Sequence, residues 1–333
     1  MGRGMPRLPQ AQAFDPHRQR NAGAPADLQL FRGTLAALRE TSWAVAGCFE
    51  RSGAEQKLNL RHLLVLGYLL LAGCANISPQ ERWRHANELT AQAGWKKSSI
   101  LTAPFNLTAF IPTNFERSDI LTIYIEGDGL SWLSRSRPST DPTPRNPIGL
   151  RLAMRHPQGA SAYLARPCQY VDANDARNCK QMYWTNARFS EEVIAASNQA
   201  ITVLKQRFSA RKLALVGYSG GGAVAALVAA RRSDVIQLVT VAGNLDHRAW
   251  TIMHHVQQLD ASLNPADEWR SLATIPQRHF VGANDEVVNR AVTESYASFF
   301  PPNLQPKIIE FPEFNHVCCW AEKWAEIWNG NLD

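Results

Sequence analysis

The sequence predicts an α/β fold with a mostly parallel central sheet and helices on both faces. From Ile120 onward, short apolar β-branched runs alternate with amphipathic helical patterns, which is typical of βαβ units. Residues 120–125 are almost continuously apolar, as expected of a strand buried on both faces. The third observation is an apolar run, 213–216, that leads through a glycine-flanked serine into an alanine-rich stretch.

The individual elements follow from local patterns along the chain. Residues 79–93 have the pattern of a surface helix, and a loop with a proline cluster spans 130–146. Ser190 and two glutamates begin an amphipathic helix over 189–208, because acidic residues stabilise a helix N-terminus. Further strands are predicted at 99–103, 107–112, 161–165, 235–242, 278–281 and 307–311. Further helices are predicted from Pro147 to about His156, and within 247–275, 287–299 and 320–328.

The glycine-flanked serine lies in Gly217-Tyr218-Ser219-Gly220-Gly221. A strand, a sharp turn and a helix at this point would expose the Ser219 hydroxyl on a strained turn. Gly217 and Gly221 fit places where side chains would clash as strand and helix cross. The N–H of Gly220 would face a developing oxyanion. A glycine-rich turn before a helix, without catalysis, is the plainer interpretation of the same residues.

A serine hydroxyl needs a base, and the base needs an acid that fixes its tautomer. His316 lies in a loop between the last predicted strand and the last helix, from which it can reach the serine turn. Asp285 follows the predicted strand at 278–281 and is the favoured acid. Asp246 also follows a strand and is the rival, and Asp285 could instead cap the next helix.

Because of these three motifs, the chain from about residue 99 to 333 resembles the α/β-hydrolase superfamily. In that superfamily the nucleophile, the acid and the histidine follow one another along the chain, and here they would be Ser219, Asp285 and His316. The resemblance implies an oxyanion hole formed by Gly220 and by the Gly127–Asp128 segment. Many relatives have His-Gly where this chain has Glu126-Gly127-Asp128-Gly129. Because an ionised Asp128 pointing inward would oppose catalysis, we expect its side chain to be hydrogen bonded elsewhere.

These residues predict a serine hydrolase that cleaves small-molecule or lipid carboxylic esters without a metal or an organic cofactor. A peptidase, a thioesterase or an acyltransferase would use the same residues, and a non-catalytic binding protein on the same scaffold is the alternative from another class. An apolar acyl pocket could be lined by aromatic side chains, namely Trp132, Tyr218, Trp184 and Trp250.

The net charge of +6 does not indicate nucleic-acid binding. Residues 1–57 carry a net +3 and Arg61 adds one, so only +2 remains from Cys74 onward. No dense Lys/Arg run with interleaved aromatic residues occurs there, and such a run is the footprint of a nucleic-acid interface.

A secretory signal is predicted just before Cys74. Lys57 and Arg61 precede an apolar run over 63–71, which is too short to span a bilayer comfortably. The sequence Leu-Ala-Gly-Cys that ends it resembles a bacterial lipobox, which implies lipidation of Cys74. Ala75 stands where an aspartate would retain a lipoprotein at the inner membrane, so we expect an outer-membrane anchor facing the periplasm. A buried apolar helix that ends in cysteine is the alternative.

The predicted organisation has three parts. Residues 1–56 are expected to be disordered or not translated, with a start near Leu58, and 57–73 form the signal peptide. Residues 74–333 form one α/β-hydrolase domain with a small cap at 247–272. A cytoplasmic protein with a disordered N-terminal arm is the competing interpretation.

Four cysteines lie beyond the signal, an even number that fits an oxidising compartment. The favoured pair is Cys168–Cys179, which would close a short polar loop. Cys318 and Cys319 would form a vicinal disulfide or remain buried thiols. A zinc site with His316 is a weaker alternative, because the spacing matches no Cys-x-x-Cys pattern.

Overall fold

The computed structural model of the chain describes residues 78–115 and 117–331. The predicted signal peptide, Cys74 and residues 1–56 lie outside the described residues. The strands of the described part are β1 (Trp95–Leu101), β2 (Asn106–Pro112), β3 (Ile120–Ile125), β4 (Trp132–Ser134), β5 (Arg137–Pro138), β6 (Ala160–Leu164), β7 (Lys212–Tyr218), β8 (Val235–Val241), β9 (Gln277–Gly282) and β10 (Lys307–Phe311).

The helices connect these strands and cover the sheet that they form. Short 3₁₀ turns interrupt the connections after β6 and before β9. The α-helices of residues 78–331 are α1 (Pro79–Gln92), α2 (Ile148–Met154), α3 (Glu191–Arg207), α4 (Gly220–Ala229), α5 (His247–Met253), α6 (Trp269–Leu272), α7 (Arg290–Ala297) and α8 (Trp324–Asn331).

Eight strands form one sheet in the order β1-β2-β6-β3-β7-β8-β9-β10, and β4 and β5 form a separate hairpin. Only β2 runs against its neighbours, and the pairs from β6 to β10 are all parallel. β3 and β7 are adjacent, with Leu121 opposite Leu213 and Ile125 opposite Gly217. The carboxyl ends of these two central strands therefore meet at one edge of the sheet.

The sheet has an apolar core on each face. Ile123 and Leu215 face the side that is covered by α3 and α4. Tyr124 and Val216, their chain neighbours, face the side that is covered by α2 and α8. This alternation follows from the two-residue period of a strand, and it explains why β3 has apolar residues at nearly every position. The predicted α/β architecture with helices on both faces is confirmed.

Two of the predicted strands have the same bounds in the structure, the central strand β3 and the edge strand β10. Residues 120–125 and 307–311 match β3 and β10 at both ends. The region 247–275 was predicted as helical, but it contains only α5, α6 and a 3₁₀ turn. The prediction was wrong there because the Asn264 side chain bonds the Asp246 carboxylate and the His247 N–H, and so ties the segment back onto the start of α5.

Two further corrections concern loops and helix ends. The loop predicted at 130–146 contains the β4–β5 hairpin. The last helix, predicted from residue 320, begins at Trp324. Trp320 is instead buried in the loop, where its indole N–H donates to the Asn315 carbonyl at 2.9 Å.

The start of α4 packs closely against the backbone of β7 and of the end of β3. A Cβ on Gly217 would lie 2.5 Å from the Gly222 Cα, and a Cβ on Gly221 would lie 2.9 Å from the Glu126 carbonyl carbon. Real Cβ atoms do not approach backbone atoms this closely. Both positions therefore require glycine. The predicted crossing of strand and helix explains Gly217, whereas Gly221 lies against the carbonyl groups of Ile125 and Glu126 at the end of β3.

We expect Gly217→Ala to destabilise the protein by about 2–3 kcal/mol or more, because the added methyl overlaps backbone that cannot move aside. Gly330→Ala in α8 is the control, since a Cβ there meets nothing within 4 Å, and its effect should stay within about 1 kcal/mol. Urea unfolding of both variants measures the difference. Equal stabilities would contradict the overlap.

Candidate active site

Ser219 lies on the turn between β7 and α4, at the carboxyl edge of the sheet. Its backbone has φ 52° and ψ −124°, a conformation that is strained for a residue other than glycine. Its N–H donates to the Val241 carbonyl at 3.0 Å, which anchors the turn to the neighbouring strand β8. The local sequence therefore holds one hydroxyl out of the sheet at a fixed point.

His316 and Asp285 reach this hydroxyl from two later loops. The His316 Nε2 lies 3.0 Å from the Ser219 Oγ, and its Nδ1 lies 2.9 Å from the Asp285 Oδ2. The Asp285 side chain is fully buried, and the His316 side chain is 16% exposed. A carboxylate at Nδ1 stabilises the tautomer whose Nε2 accepts a proton, so the three groups can pass the serine proton to the imidazole.

Asp285, and not Asp246, is the acid that contacts the histidine. Its second oxygen, Oδ1, accepts the N–H groups of Val287 and Val288, both at 2.8 Å, so the carboxylate is held at both oxygens. Asp246 instead caps α5 and accepts the Ser295 hydroxyl at 2.7 Å. The alternative that Asp285 caps the following helix is wrong, because Asn289 caps α7.

The histidine loop is fixed by contacts on both sides of His316. The Tyr218 hydroxyl donates to the His316 carbonyl at 2.9 Å. The Asn315 side chain accepts the N–H groups of Val317 and Cys318 at 2.9 and 2.8 Å. The sequence predicted Tyr218 as a wall of the substrate pocket. It also positions the backbone of His316, a role that its place beside the serine in the sequence did not reveal.

The predicted oxyanion donors differ in availability. The Gly127 N–H donates to the Glu126 carboxylate at 2.9 Å, so the prediction that Gly127 supplies a donor is wrong. Among the described residues, no acceptor takes the N–H of Asp128. Gly220 is the first residue of α4, where N–H groups have no partner within the helix. Gly220 and Asp128 therefore remain as the two candidate donors beside Ser219.

Glu126, which directly precedes Gly127 at the end of β3, is buried. It accepts the N–H groups of Gly127 at 2.9 Å, Gly149 at 3.2 Å and Leu150 at 3.4 Å. Burial raises the pKa of Glu126 to about 7, although these N–H groups favour the carboxylate. The side chain thus connects the start of α2 to the end of β3.

Two arginines bind the Asp128 carboxylate. We expected this side chain to be hydrogen bonded away from the serine, and these are its partners. Arg166 Nη1 lies 3.0 Å from Oδ1, and Arg188 Nη1 lies 2.6 Å from Oδ2. Burial raises the pKa of Asp128, but the charges of Arg188 and Arg166 outweigh burial and leave it below its ordinary value. No local sequence signal pointed to either arginine.

A cavity of about 440 Å³ opens over Ser219 and His316. Trp132 and Trp250 line it, with Tyr218, as predicted from their positions beside the motifs. Trp184 does not, because it is buried elsewhere with its indole N–H on the Ser139 carbonyl. A larger cavity of about 930 Å³ lies between α1 and the loop that holds Cys168, away from the serine.

The cysteines of the described residues form two disulfides, Cys168–Cys179 and the vicinal pair Cys318–Cys319. The favoured pairing is therefore confirmed, and the zinc alternative fails because both candidate thiols are paired. Across the described ranges, no three His, Cys, Asp or Glu side chains are grouped as metal ligands. None of the helices in residues 78–331 is long and apolar enough to cross a bilayer.

The sheet order, the strand directions and the serine turn at the end of β7 together define the α/β-hydrolase fold. No protein-family description matches the chain, and neither does any curated protein sequence.

Solved structures of this fold are similar at low sequence identity. Est1E from Butyrivibrio proteoclasticus is 14% identical over 71% of this chain and 97% of its own, with a TM-score of 0.49. A bacterial membrane phospholipase A is 16% identical over 81% and 98%, with a TM-score of 0.45. XC6422 from Xanthomonas campestris, described as an α/β serine hydrolase without a lid, is 12% identical over 71% and 93%, with a TM-score of 0.47.

The buried carboxyl of Glu126 predicts a pH dependence of stability. Its pKa rises from 4.5 to about 7 on folding, so the folded chain binds this proton more tightly than the unfolded chain. The contribution of this proton to the free energy of unfolding is largest below pH 4.5 and is lost as the pH rises through about 7. The stability of the wild type relative to Glu126→Gln should therefore fall by about 3 kcal/mol across this window.

Urea unfolding at pH 5 and pH 8 measures this change. Comparing each variant with the wild type at the same pH cancels the titration of the buried histidines. Glu313→Gln, at an exposed position, is the control and should differ equally from the wild type at both pH values. A Glu126→Gln difference that does not change with pH would contradict the prediction.

Proposed function

We propose that this chain is a serine hydrolase that cleaves carboxylic esters through Ser219, His316 and Asp285. The observation that carries the proposal is the continuous chain of hydrogen-bond distances, 3.0 Å from Oγ to Nε2 and 2.9 Å from Nδ1 to Oδ2. Groups at these distances are within reach for proton transfer.

In the proposed reaction, His316 takes the Ser219 proton as Oγ attacks the ester carbonyl carbon. The carbonyl oxygen becomes an oxyanion, which the N–H groups of Gly220 and Asp128 stabilise. His316 then gives the proton to the leaving alcohol as the C–O bond breaks, and an acyl-enzyme remains on Ser219. Water, deprotonated by His316, attacks the acyl group and releases the acid. Asp285 stabilises the imidazolium in both halves of the reaction.

The aromatic walls of the cavity favour an ester with an apolar part. Trp132 is 40% exposed, and Trp250 is fixed by an indole hydrogen bond to the Val287 carbonyl at 2.7 Å. Peptidase, thioesterase and acyltransferase chemistry would use the same groups. A binding protein that does not catalyse is the alternative from another class.

We further propose that the protein is lipidated at Cys74 and anchored in a bacterial cell envelope. The charged residues before a short apolar run and the Leu-Ala-Gly-Cys ending support this proposal. Intact mass of protein purified from bacterial membranes tests it. We expect a chain that begins at Cys74 with added acyl mass, and a mass that includes residues before Cys74 would overturn it.

Labelling with a fluorophosphonate separates a hydrolase from a binding protein. We expect covalent labelling of the wild type at Ser219 and none of Ser219→Ala, because only an activated serine attacks the probe. Ser219→Ala should also lose nitrophenyl ester hydrolysis, and a series of acyl lengths would show the preferred ester. An unlabelled wild type, beside a control hydrolase that is labelled, would favour the binding protein.

The two aspartates provide a matched test of the acid. Asp285→Asn should lower kcat by roughly 10³–10⁴-fold, because the amide at Nδ1 no longer favours the productive tautomer. Asp246→Asn should leave kcat within about threefold, since asparagine also caps a helix. Steady-state kinetics on a nitrophenyl ester measure both. Comparable losses in the two variants would refute the assignment of Asp285.

A further inference from the structure

The Asp128 carboxylate is shared between two arginines. Arg166 and Arg188 each place an Nη1 on one of its oxygens. Their side chains are only 5% and 7% exposed, so these guanidinium groups are held in place. Two guanidinium groups share this carboxylate directly beside the proposed oxyanion donor. The Glu126 carboxyl group, which also acts on Arg166, has its pKa raised to about 7 by burial and so carries little charge below that pH.

The two arginines differ in what the rest of each guanidinium does. Arg166 donates its Nη2 to the Arg188 carbonyl and lies over the Phe189 ring at 5.3 Å. It does not line the cavity over Ser219. Its hydrogen bonds therefore connect groups within the protein, namely Asp128 and the Arg188 carbonyl.

Arg188, in contrast, lines that cavity. Its Nε donates to the Thr185 carbonyl at 2.5 Å and its Nη1 to Asp128, which fixes the plane of the guanidinium. No acceptor among the described residues takes its Nη2, and this nitrogen is not sealed from solvent. The guanidinium also lies 5.9 Å from the Trp250 ring, another wall of the cavity. A fixed cation with a spare donor is thus available to a bound molecule.

We propose that Arg188 binds a negatively charged group on the substrate, so that the esters cleaved here carry a carboxylate or a similar anion. This inference rests on the proposed hydrolase function. An arginine fork bonds planar anions well, and water screens the charge of a side chain that is only 7% exposed less than that of a surface arginine. Arg188 therefore sets specificity, while Ser219, His316 and Asp285 perform the chemistry.

The test compares two esters of equal shape and different charge. Mono-4-nitrophenyl glutarate carries a terminal carboxylate, and 4-nitrophenyl 4-carbamoylbutanoate carries the neutral amide instead. We expect the wild type to prefer the anionic ester in kcat/KM by at least about tenfold, the scale of a hydrogen bond to a charged group. The preference should decrease with added salt, which screens the attraction. A wild-type ratio near one would overturn the proposal.

Arg188→Gln and Arg166→Gln form a matched pair, because each removes one of the two partners of Asp128. Arg188→Gln should reduce the preference to about one, whereas Arg166→Gln should slow both esters and keep their ratio. Equal loss of preference in the two variants would overturn the proposal, since it would show an effect of the charge network and not of contact. If Arg188→Gln does not fold, Arg188→Lys keeps a charge without the fork and should retain only part of the preference.

A binding measurement separates failure of this inference from failure of the hydrolase proposal. Calorimetry with Ser219→Ala compares the affinities of the two intact esters without turnover. Preference for the anionic ester that disappears with Arg188→Gln would support the inference even if the wild type hydrolyses neither ester. If Ser219→Ala binds the two esters with equal affinity while the wild type hydrolyses both, the inference is overturned and the hydrolase proposal stays intact.

Discussion

The close crossing of β7 and α4 is the constraint on which the rest of the site depends. Without side chains at Gly217 and Gly221, the helix begins against the backbone of the strand, and Ser219 between them takes a positive φ. The same contact presses Gly221 against the carbonyl groups of Ile125 and Glu126 at the end of β3. The serine and the turn after β3 are therefore fixed relative to each other by backbone contact.

Three carboxyl groups lie near this crossing, and each is neutralised differently. Glu126 is surrounded by backbone N–H groups and has its pKa raised to about 7 by burial. Asp128 is paired with two arginines, and Asp285 with a histidine. Since unpaired negative charge would oppose an oxyanion at short range, these pairings make an acidic turn compatible with the proposed chemistry.

The sequence predicted those parts of the site that depend on local patterns. Apolar strands, glycines at a tight turn and the chain order of Ser219, Asp285 and His316 are all visible without a structure. The choice of Asp285 over Asp246 needed contacts across loops, since both follow a strand. The direction of the Gly127 N–H depends on how the Glu126 side chain folds back, and the partners of Asp128 lie 38 and 60 residues away. Residue type and spacing do not determine such contacts.

The Asp128 network also explains why the turn after β3 contains an aspartate. A side chain held at both oxygens fixes its own backbone, so the Asp128 N–H keeps its direction without reorganising during a reaction. The carboxylate lies so close to α4 that a Cβ on Gly220 would come within 2.5 Å of the Asp128 Cγ, which joins the two proposed oxyanion donors in one packed unit. Each of the two arginines contacts one oxygen of the carboxylate. The second arginine then contributes a charge that Asp128 cannot cancel, and through Arg188 this charge reaches the cavity. The support of the oxyanion turn and the proposed recognition of an anionic substrate are thus two consequences of one ion-pair network.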